Sequence, residues 1–201
     1  MKVPVHVTLL LDESESMSSC KDATISGYNE YINSLKQQEN IKFTLTKFNS
    51  DGIKTVYLDK DINEIPMMGA EDFIPDSMTP LYDAIGQTIT ILDAKIKPLK
   101  EHLQEVPVIF VIITDGEENT SKEYTRANIF NLIQGKTKEK WEFVYIGANQ
   151  DMWKSSQDIG LPTASAMAYD SSPIGTQTMY TQVSTQTSDI VKKLRLPSET
   201  E

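Results

Sequence analysis

Cysteine and histidine are scarce in this chain of 201 residues, which contains one cysteine, Cys20, and two histidines, His6 and His102. A single cysteine cannot form an intramolecular disulfide, and no base accompanies it in the sequence, so we interpret Cys20 as an inert small residue. His6 lies within an apolar run and His102 in a charged connector. We expect a structural or solvated role for both.

Long apolar stretches and clusters of lysine or arginine are also missing. The formal net charge is −10, which disfavours nucleic acid and anionic membranes as partners because both carry negative charge. No apolar stretch reaches 18 residues, and the first four residues lead into a strand without a cleavage motif. We therefore expect a cytoplasmic protein; the sequence leaves its oligomeric state open.

Motifs typical of enzymes are absent as well. The chain contains neither a G-x-S-x-G elbow nor a G-x-x-x-x-G-K-[ST] phosphate loop. The best enzymatic alternative is a Mg²⁺-dependent phosphohydrolase with Asp12 as its nucleophile. Such an enzyme would need an acid two residues further on, where this chain has Ser14. Enzyme chemistry is therefore not expected.

The most informative feature present is an apolar run that ends in oxygen-bearing side chains. Residues 5–11 are almost all apolar or β-branched, which is typical of a parallel strand covered on both faces. Asp12 follows at its carboxyl end, the edge where open α/β sheets bind ligands. Ser14 and Ser16 alternate in the turn beyond it. Together they offer one carboxylate and two hydroxyls, which suit a hard metal ion.

Two further loops offer the same kind of ligand. Thr79 precedes Pro80 and an apolar helical pattern, so we predict that Thr79 caps a helix that begins at Pro80. Asp115 follows the most hydrophobic run in the chain, residues 108–113, and precedes Gly116. It is thus a second carboxylate at the end of a strand.

The three elements resemble, in type and order, the metal-ion-dependent adhesion site of von Willebrand factor type A (vWA) domains. The resemblance extends over roughly residues 3–195 and implies an α/β fold, doubly wound and Rossmann-like, with a mostly parallel sheet and one antiparallel edge strand. It implies that Ser14, Ser16 and Thr79 bind the metal directly, and that Asp12 and Asp115 bind it directly or through water. Met78 stands where this family often has glycine.

The resemblance also implies a function. The expected cofactor is Mg²⁺, with Mn²⁺ or Ca²⁺ as alternatives, and the expected partner is a protein whose Asp or Glu carboxylate completes the coordination. The implied type is a stand-alone cytoplasmic vWA protein of bacterial or phage origin. A structural subunit that uses the ion only for stability is the alternative from a different class.

Each motif also has a purely structural interpretation. Asp12 and Asp115 could form ordinary turns at strand ends, and Ser14 or Ser16 could cap a helix starting near Asp22. Four acids are expected around the site, where they either select against strongly acidic partners or form a solvated face: Glu13, Glu15, Glu117 and Glu118.

The remaining pattern predicts one domain over 1–196 and a frayed tail over 197–201. Two alternating runs joined by a turn with Gly52 predict a hairpin. The predicted helices and the last strand have these limits: a helix from 80 to 97, stopped by Pro98; a helix that ends at Gly135; a short helix capped by Asp151; a strand over 164–169; and a C-terminal helix over 174–194.

Overall fold

The apolar runs of the sequence form strands, and the stretches with helical spacing form the helices between them. A computed structural model describes residues 3–103, 105–148 and 152–195. The strands are β1 (Val5–Asp12), β2 (Ile41–Asn49), β3 (Gly52–Asp61), β4 (Val108–Thr114), β5 (Glu142–Ala148) and β6 (Ala166–Tyr169). The helices are α1 (Lys21–Lys36), α2 (Leu81–Lys100), α3 (Arg126–Lys138), α4 (Met152–Asp158) and α5 (Pro173–Arg195).

The six strands form one sheet in the order β3-β2-β1-β4-β5-β6. Only β3 is antiparallel to its neighbour, β2, to which the predicted hairpin joins it. All other pairs are parallel. The predicted fold class, a doubly wound and mostly parallel α/β sheet with one antiparallel edge strand, is confirmed.

Alternate residues of the buried strands supply two apolar cores, one on each face of the sheet. Val7, Leu9 and Leu11 of β1 face a core that includes side chains of α1 and α5. Leu10 faces the second core, which includes side chains of α2 and α3. Because both faces are covered, the central strands β1 and β4 are buried along their whole length.

The C-terminal helix packs closely on α1. A Cβ atom added to Gly27 would lie 2.2 Å from Cδ2 of Tyr180, so only glycine allows this approach. The predicted helix over 174–194 is thus present and one residue longer at each end. No helix in the described ranges is long and apolar enough to cross a membrane.

Several predicted boundaries are wrong. Pro98 lies inside α2, which continues to Lys100, because a proline in the last turn removes one backbone hydrogen bond without preventing the residues after it from remaining helical. Gly135 lies inside α3, which ends at Lys138. The last strand begins at Ala166, after a 3₁₀ turn over Thr163–Ser165. Asp151 and the predicted tail lie outside the described residues.

Candidate metal centre

The two carboxylates at strand ends meet because β1 and β4 are parallel neighbours. Leu11 of β1 pairs with Ile113 of β4, so Asp12 and Asp115 follow on the same carboxyl edge of the sheet. This is the placement that the sequence predicted.

Hydroxyl groups connect Asp115 to the first loop. Ser16 Oγ donates a hydrogen bond to Asp115 Oδ1 at 2.5 Å, and Ser14 Oγ lies 3.2 Å from Ser16 Oγ. Three of the five predicted ligands therefore form one connected row of oxygen atoms. Neither serine caps α1, which begins at Lys21 after Cys20, so the predicted cap near Asp22 is wrong. Ser14 instead occupies the N-cap position of a 3₁₀ turn over Glu15–Cys20, without a side-chain cap hydrogen bond.

Asp12 is completely buried, and both of its carboxylate oxygens accept hydrogen bonds. Oδ1 accepts from the backbone N–H of Ser14 at 2.8 Å, and Oδ2 accepts from the Thr114 hydroxyl at 2.5 Å. Burial raises the pKa of Asp12 to about 6 despite these bonds, and the nearby charge of Asp115 adds to the rise. Burial also raises the pKa of Asp115. No lysine or arginine among the described residues offsets this rise for either carboxylate.

Thr79, in the loop that precedes α2, lies next to Gly116 in the loop that begins at Asp115. It is 3% exposed, and a Cβ atom on Gly116 would lie 2.8 Å from Thr79 Oγ1. A side chain at position 116 would collide with the Thr79 hydroxyl, so glycine at this position permits the close approach. The Thr79 backbone is paired on both sides with Asn119, whose Oδ1 accepts from Thr79 N at 2.9 Å and whose N–H donates to Thr79 O at 3.2 Å.

The prediction that Thr79 caps a helix is wrong. Helix α2 begins at Leu81, with Pro80 at the capping position and no side-chain cap. Its first N–H groups are instead paired with a distant loop, because Tyr82 N donates to Glu118 Oε2 at 2.8 Å and Asp83 N to Ser121 Oγ at 3.1 Å. The Thr79 hydroxyl makes no hydrogen bond to any described residue and remains available to a ligand.

Asp83 fixes the loop after β4, a role that sequence reasoning missed. Its buried carboxylate accepts hydrogen bonds from three consecutive backbone N–H groups, those of Lys122, Glu123 and Tyr124, at 2.7 to 2.9 Å. Glu118 is also occupied, by Tyr82 N and by donors from Thr120 and Ser121. A single acid at the start of a predicted helix carries no local signal for contacts about 40 residues away.

Glu13 fixes the first loop. Its Oε1 accepts from Lys47 Nζ at 2.7 Å and from the backbone N–H of Ile74 at 2.8 Å. Its backbone is paired with Phe48 and Asp76. Of the four acids expected around the site, Glu13 and Glu118 are thus structural, whereas Glu15 and Glu117 are exposed.

Met78, the residue before Thr79, is held in its loop by Ser50. The left-handed backbone conformation in this loop falls on Ser77, whose φ is 66°. Met78 exchanges hydrogen bonds with Ser50, through Ser50 N to Met78 O at 2.9 Å and Met78 N to Ser50 Oγ at 3.1 Å. Its side chain is 52% exposed.

The donor set decides which metals fit. Among the described residues no three side chains of His, Cys, Asp or Glu form a group that could hold a metal, so an ion here depends on the hydroxyls as well as on the two carboxylates. An all-oxygen set suits hard divalent cations such as Mg²⁺, Mn²⁺ and Ca²⁺. The five candidate ligand side chains all offer oxygen atoms, and no cationic group from the described ranges pairs with their carboxylates, so the set is chemically compatible with such an ion.

Comparison with solved structures identifies the fold. The vWF domain of the type V pili tip protein Mfa5 from Porphyromonas gingivalis has a TM-score of 0.71 and 11% identity, and covers 100% of this chain and 99% of that one. The SpRpn10 VWA domain has a TM-score of 0.61 and 12% identity, with 90% and 95% covered. The chain therefore has the fold of a vWA domain.

Proximal thread matrix protein 1 from the mussel byssus is also similar, with a TM-score of 0.65, 16% identity and 90% of this chain covered, in a structure whose adhesion-site motif is occupied by zinc. The present chain spans 47% of that protein. Comparison of the sequence with protein-family models and with curated proteins gives no match.

Proposed function

We propose that this chain is a protein-interaction module that binds its partner through a Mg²⁺-type ion. The ion is held by Ser14, Ser16 and Thr79, with Asp12 and Asp115 as direct ligands or ligands through water. An Asp or Glu carboxylate of the partner completes the coordination.

The observation that carries the proposal is the convergence of hydroxyls on two carboxylates that no lysine or arginine neutralises among the described residues. Mg²⁺ takes about six oxygen ligands at roughly 2.1 Å. An ion held by neutral hydroxyls and few carboxylates remains electron-poor, so an external carboxylate is a favourable further ligand. The vWA fold, which adhesion and matrix proteins share, supports this proposal by analogy only.

Catalysis by Asp12 is the less favoured function. A nucleophilic carboxylate must reach its substrate, whereas Asp12 is completely buried and both of its oxygens accept hydrogen bonds.

The structural-subunit alternative differs from the main proposal in one measurable respect, because its ion would stabilise the fold without binding a ligand.

A random-peptide phage library tests the proposal. The library is bound to the immobilised chain in Mg²⁺, and the clones that EDTA releases are sequenced. Ser14→Ala/Ser16→Ala removes two proposed ligands. Ser18→Ala/Ser19→Ala, at two exposed positions of the 3₁₀ turn over Glu15–Cys20 that also contains Ser16, is the matched control. Calorimetric titration with Mg²⁺ and Mn²⁺ measures metal affinity in all three proteins.

We expect EDTA-released clones to be enriched in Asp or Glu for the wild type and the control, and no such clones for the ligand variant. Metal binding without acidic clones would favour the structural subunit. Equal metal affinity in the ligand variant and the wild type would contradict the proposed site.

A further inference from the structure

A cavity lies close to the candidate metal centre. It measures about 260 Å³ and lies between the start of α2, the loop after β4, strand β5 and the end of helix α4. Leu81 and Glu117 line it, and each lies two residues after a proposed metal ligand, Thr79 and Asp115. The cavity therefore lies beside the two loops that carry these proposed ligands.

Most of the charged groups that line the cavity are acidic. It contains three carboxylates, from Glu117, Glu118 and Asp158, and one ammonium group, from Lys154. Glu118 is occupied by its loop and by the start of α2, and Asp158 pairs with Arg126 at 3.0 Å. Glu117 is exposed and has no ion pair or hydrogen bond with any residue that the structure describes.

Tyr145, a largely buried tyrosine, lines the same cavity. It is only 2% exposed, and its hydroxyl makes no hydrogen bond to the described part of the chain. Burial raises the pKa of Tyr145, and the charges of Asp12 and Glu117 add to the rise. The hydroxyl therefore stays protonated, faces a negative environment and retains lone pairs for a donor from outside.

The other walls suit the apolar stem of a long basic side chain. Leu81 and Ile159 are buried residues at the cavity, and Tyr82 contributes an aromatic ring beside them. Lysine and arginine place their methylene groups on such surfaces while the charged end finds acceptors. Aromatic rings also attract cations through their faces.

We propose that this cavity takes a basic side chain, arginine or lysine, that neighbours the metal-binding carboxylate of the partner. The charged end contacts Glu117 and the Tyr145 hydroxyl, and the stem lies against Leu81 and Ile159. The inference rests on the proposed function, because the metal-bound carboxylate fixes the partner beside the cavity. A guanidinium group, with five donors in a planar arrangement, suits several acceptors better than an ammonium group does.

The peptide library described above also tests this inference. Among clones released by EDTA, we expect arginine or lysine at a constant distance from the Asp or Glu residue. Enrichment of the acid alone would overturn the inference and leave the proposed function intact. A complete absence of EDTA-released clones would overturn both.

A double-mutant cycle then locates the basic residue. One selected peptide and its Arg→Ala (or Lys→Ala) version are titrated in saturating Mg²⁺ into the wild type, Glu117→Gln and Tyr145→Phe. Glu101→Gln, which removes an exposed acid at the end of α2, is the matched control.

We expect Glu117→Gln to weaken the basic peptide about tenfold, the usual effect of losing a charge-assisted hydrogen bond. The alanine peptide should bind wild type and Glu117→Gln within about twofold of each other. Tyr145→Phe should give a smaller loss with the same selectivity, and Glu101→Gln should change neither peptide. Equal losses for both peptides would overturn the inference, because the basic residue would then not contact Glu117.

Discussion

At the level of single residues, Asp12 is the most informative side chain, because its burial opposes the charge that the proposed ion requires. Its pKa is raised to about 6, so the carboxylate is largely ionised above pH 7. A rise of about two units corresponds to roughly 3 kcal/mol against the ionised form. A bound cation would offset that cost.

We therefore expect Asp12→Asn to have opposite effects in the two states. In EDTA at pH 8 it should raise the free energy of unfolding by about 1 to 3 kcal/mol, because the buried negative charge is removed. In saturating Mg²⁺ it should lower stability relative to the wild type, because metal affinity falls. Urea unfolding under both conditions measures the two effects.

Asp22→Asn provides the control, since Asp22 is exposed in the first turn of α1. It should shift stability by only a few tenths of a kcal/mol and equally in both conditions. If Asp12→Asn destabilised the metal-free protein, the cost assigned to the buried charge would be wrong.

At the level of elements, the loop after β4 depends on α2 for its shape. Asp83→Ala would leave three backbone N–H groups of that loop without their acceptor. We expect a loss of about 2 kcal/mol or more in unfolding free energy, and weaker metal binding, because the same loop begins at Asp115. Hydrogen exchange at residues 122–124 should accelerate; unchanged exchange there would contradict this role of Asp83.

The stability that ion pairs between α2 and α3 contribute to the fold should depend on pH. Lys100 and Lys136 both bind Asp93, at 2.5 and 2.8 Å. Partial burial alone would raise the pKa of Asp93, but the hydrogen bonds from the two lysines hold it below its usual value. A depressed pKa stabilises the folded state above about pH 4, and this stabilisation is lost as the pH falls through the folded pKa.

Asp93→Asn tests this pH dependence. Because Asp93 is 38% exposed, the loss at pH 7 should be only about 1 kcal/mol. It should shrink as the pH falls below 4, where the wild-type carboxyl is protonated. Thermal unfolding of both proteins between pH 3 and 7 measures the difference, and a pH-independent difference would count against the ion pairs. Glu101→Gln is the control for removal of an exposed acid.

At the level of the whole molecule, binding of the ion should stabilise the fold by mass action. A ligand at 100 times its dissociation constant adds about 2.7 kcal/mol. For a domain of this size this corresponds to roughly 5 to 10 °C in the melting temperature. The shift should be absent in Ser14→Ala/Ser16→Ala and present in Ser18→Ala/Ser19→Ala. An equal shift in all three proteins would place the stabilising ion elsewhere.

Much of this fold could be predicted because its signals are local. The continuous apolar runs at residues 5–11 and 108–113 indicated buried parallel strands, and the alternation around Gly52 indicated the antiparallel hairpin. Helix ends were predicted less well. Pro98 and Gly135 are helix-breaking residues by propensity, yet both lie inside helices, because packing outweighs a local cost of this size near a helix end.

The sequence by itself determined the fold class and the chemical nature of the candidate site, since the oxygen-bearing residues follow directly after buried strands and sheet edges bring strand ends together. Only the tertiary structure decided which groups remain available there. Glu13 pairs with Lys47, and Glu118 accepts hydrogen bonds from the backbone N–H groups of Tyr82 in α2 and of Ser121 in its own loop. Glu117 and the Tyr145 hydroxyl, in contrast, have no partner in the described ranges. The reason is physical: hydrogen bonds and ion pairs between residues far apart in sequence depend on positions that only the packed chain defines.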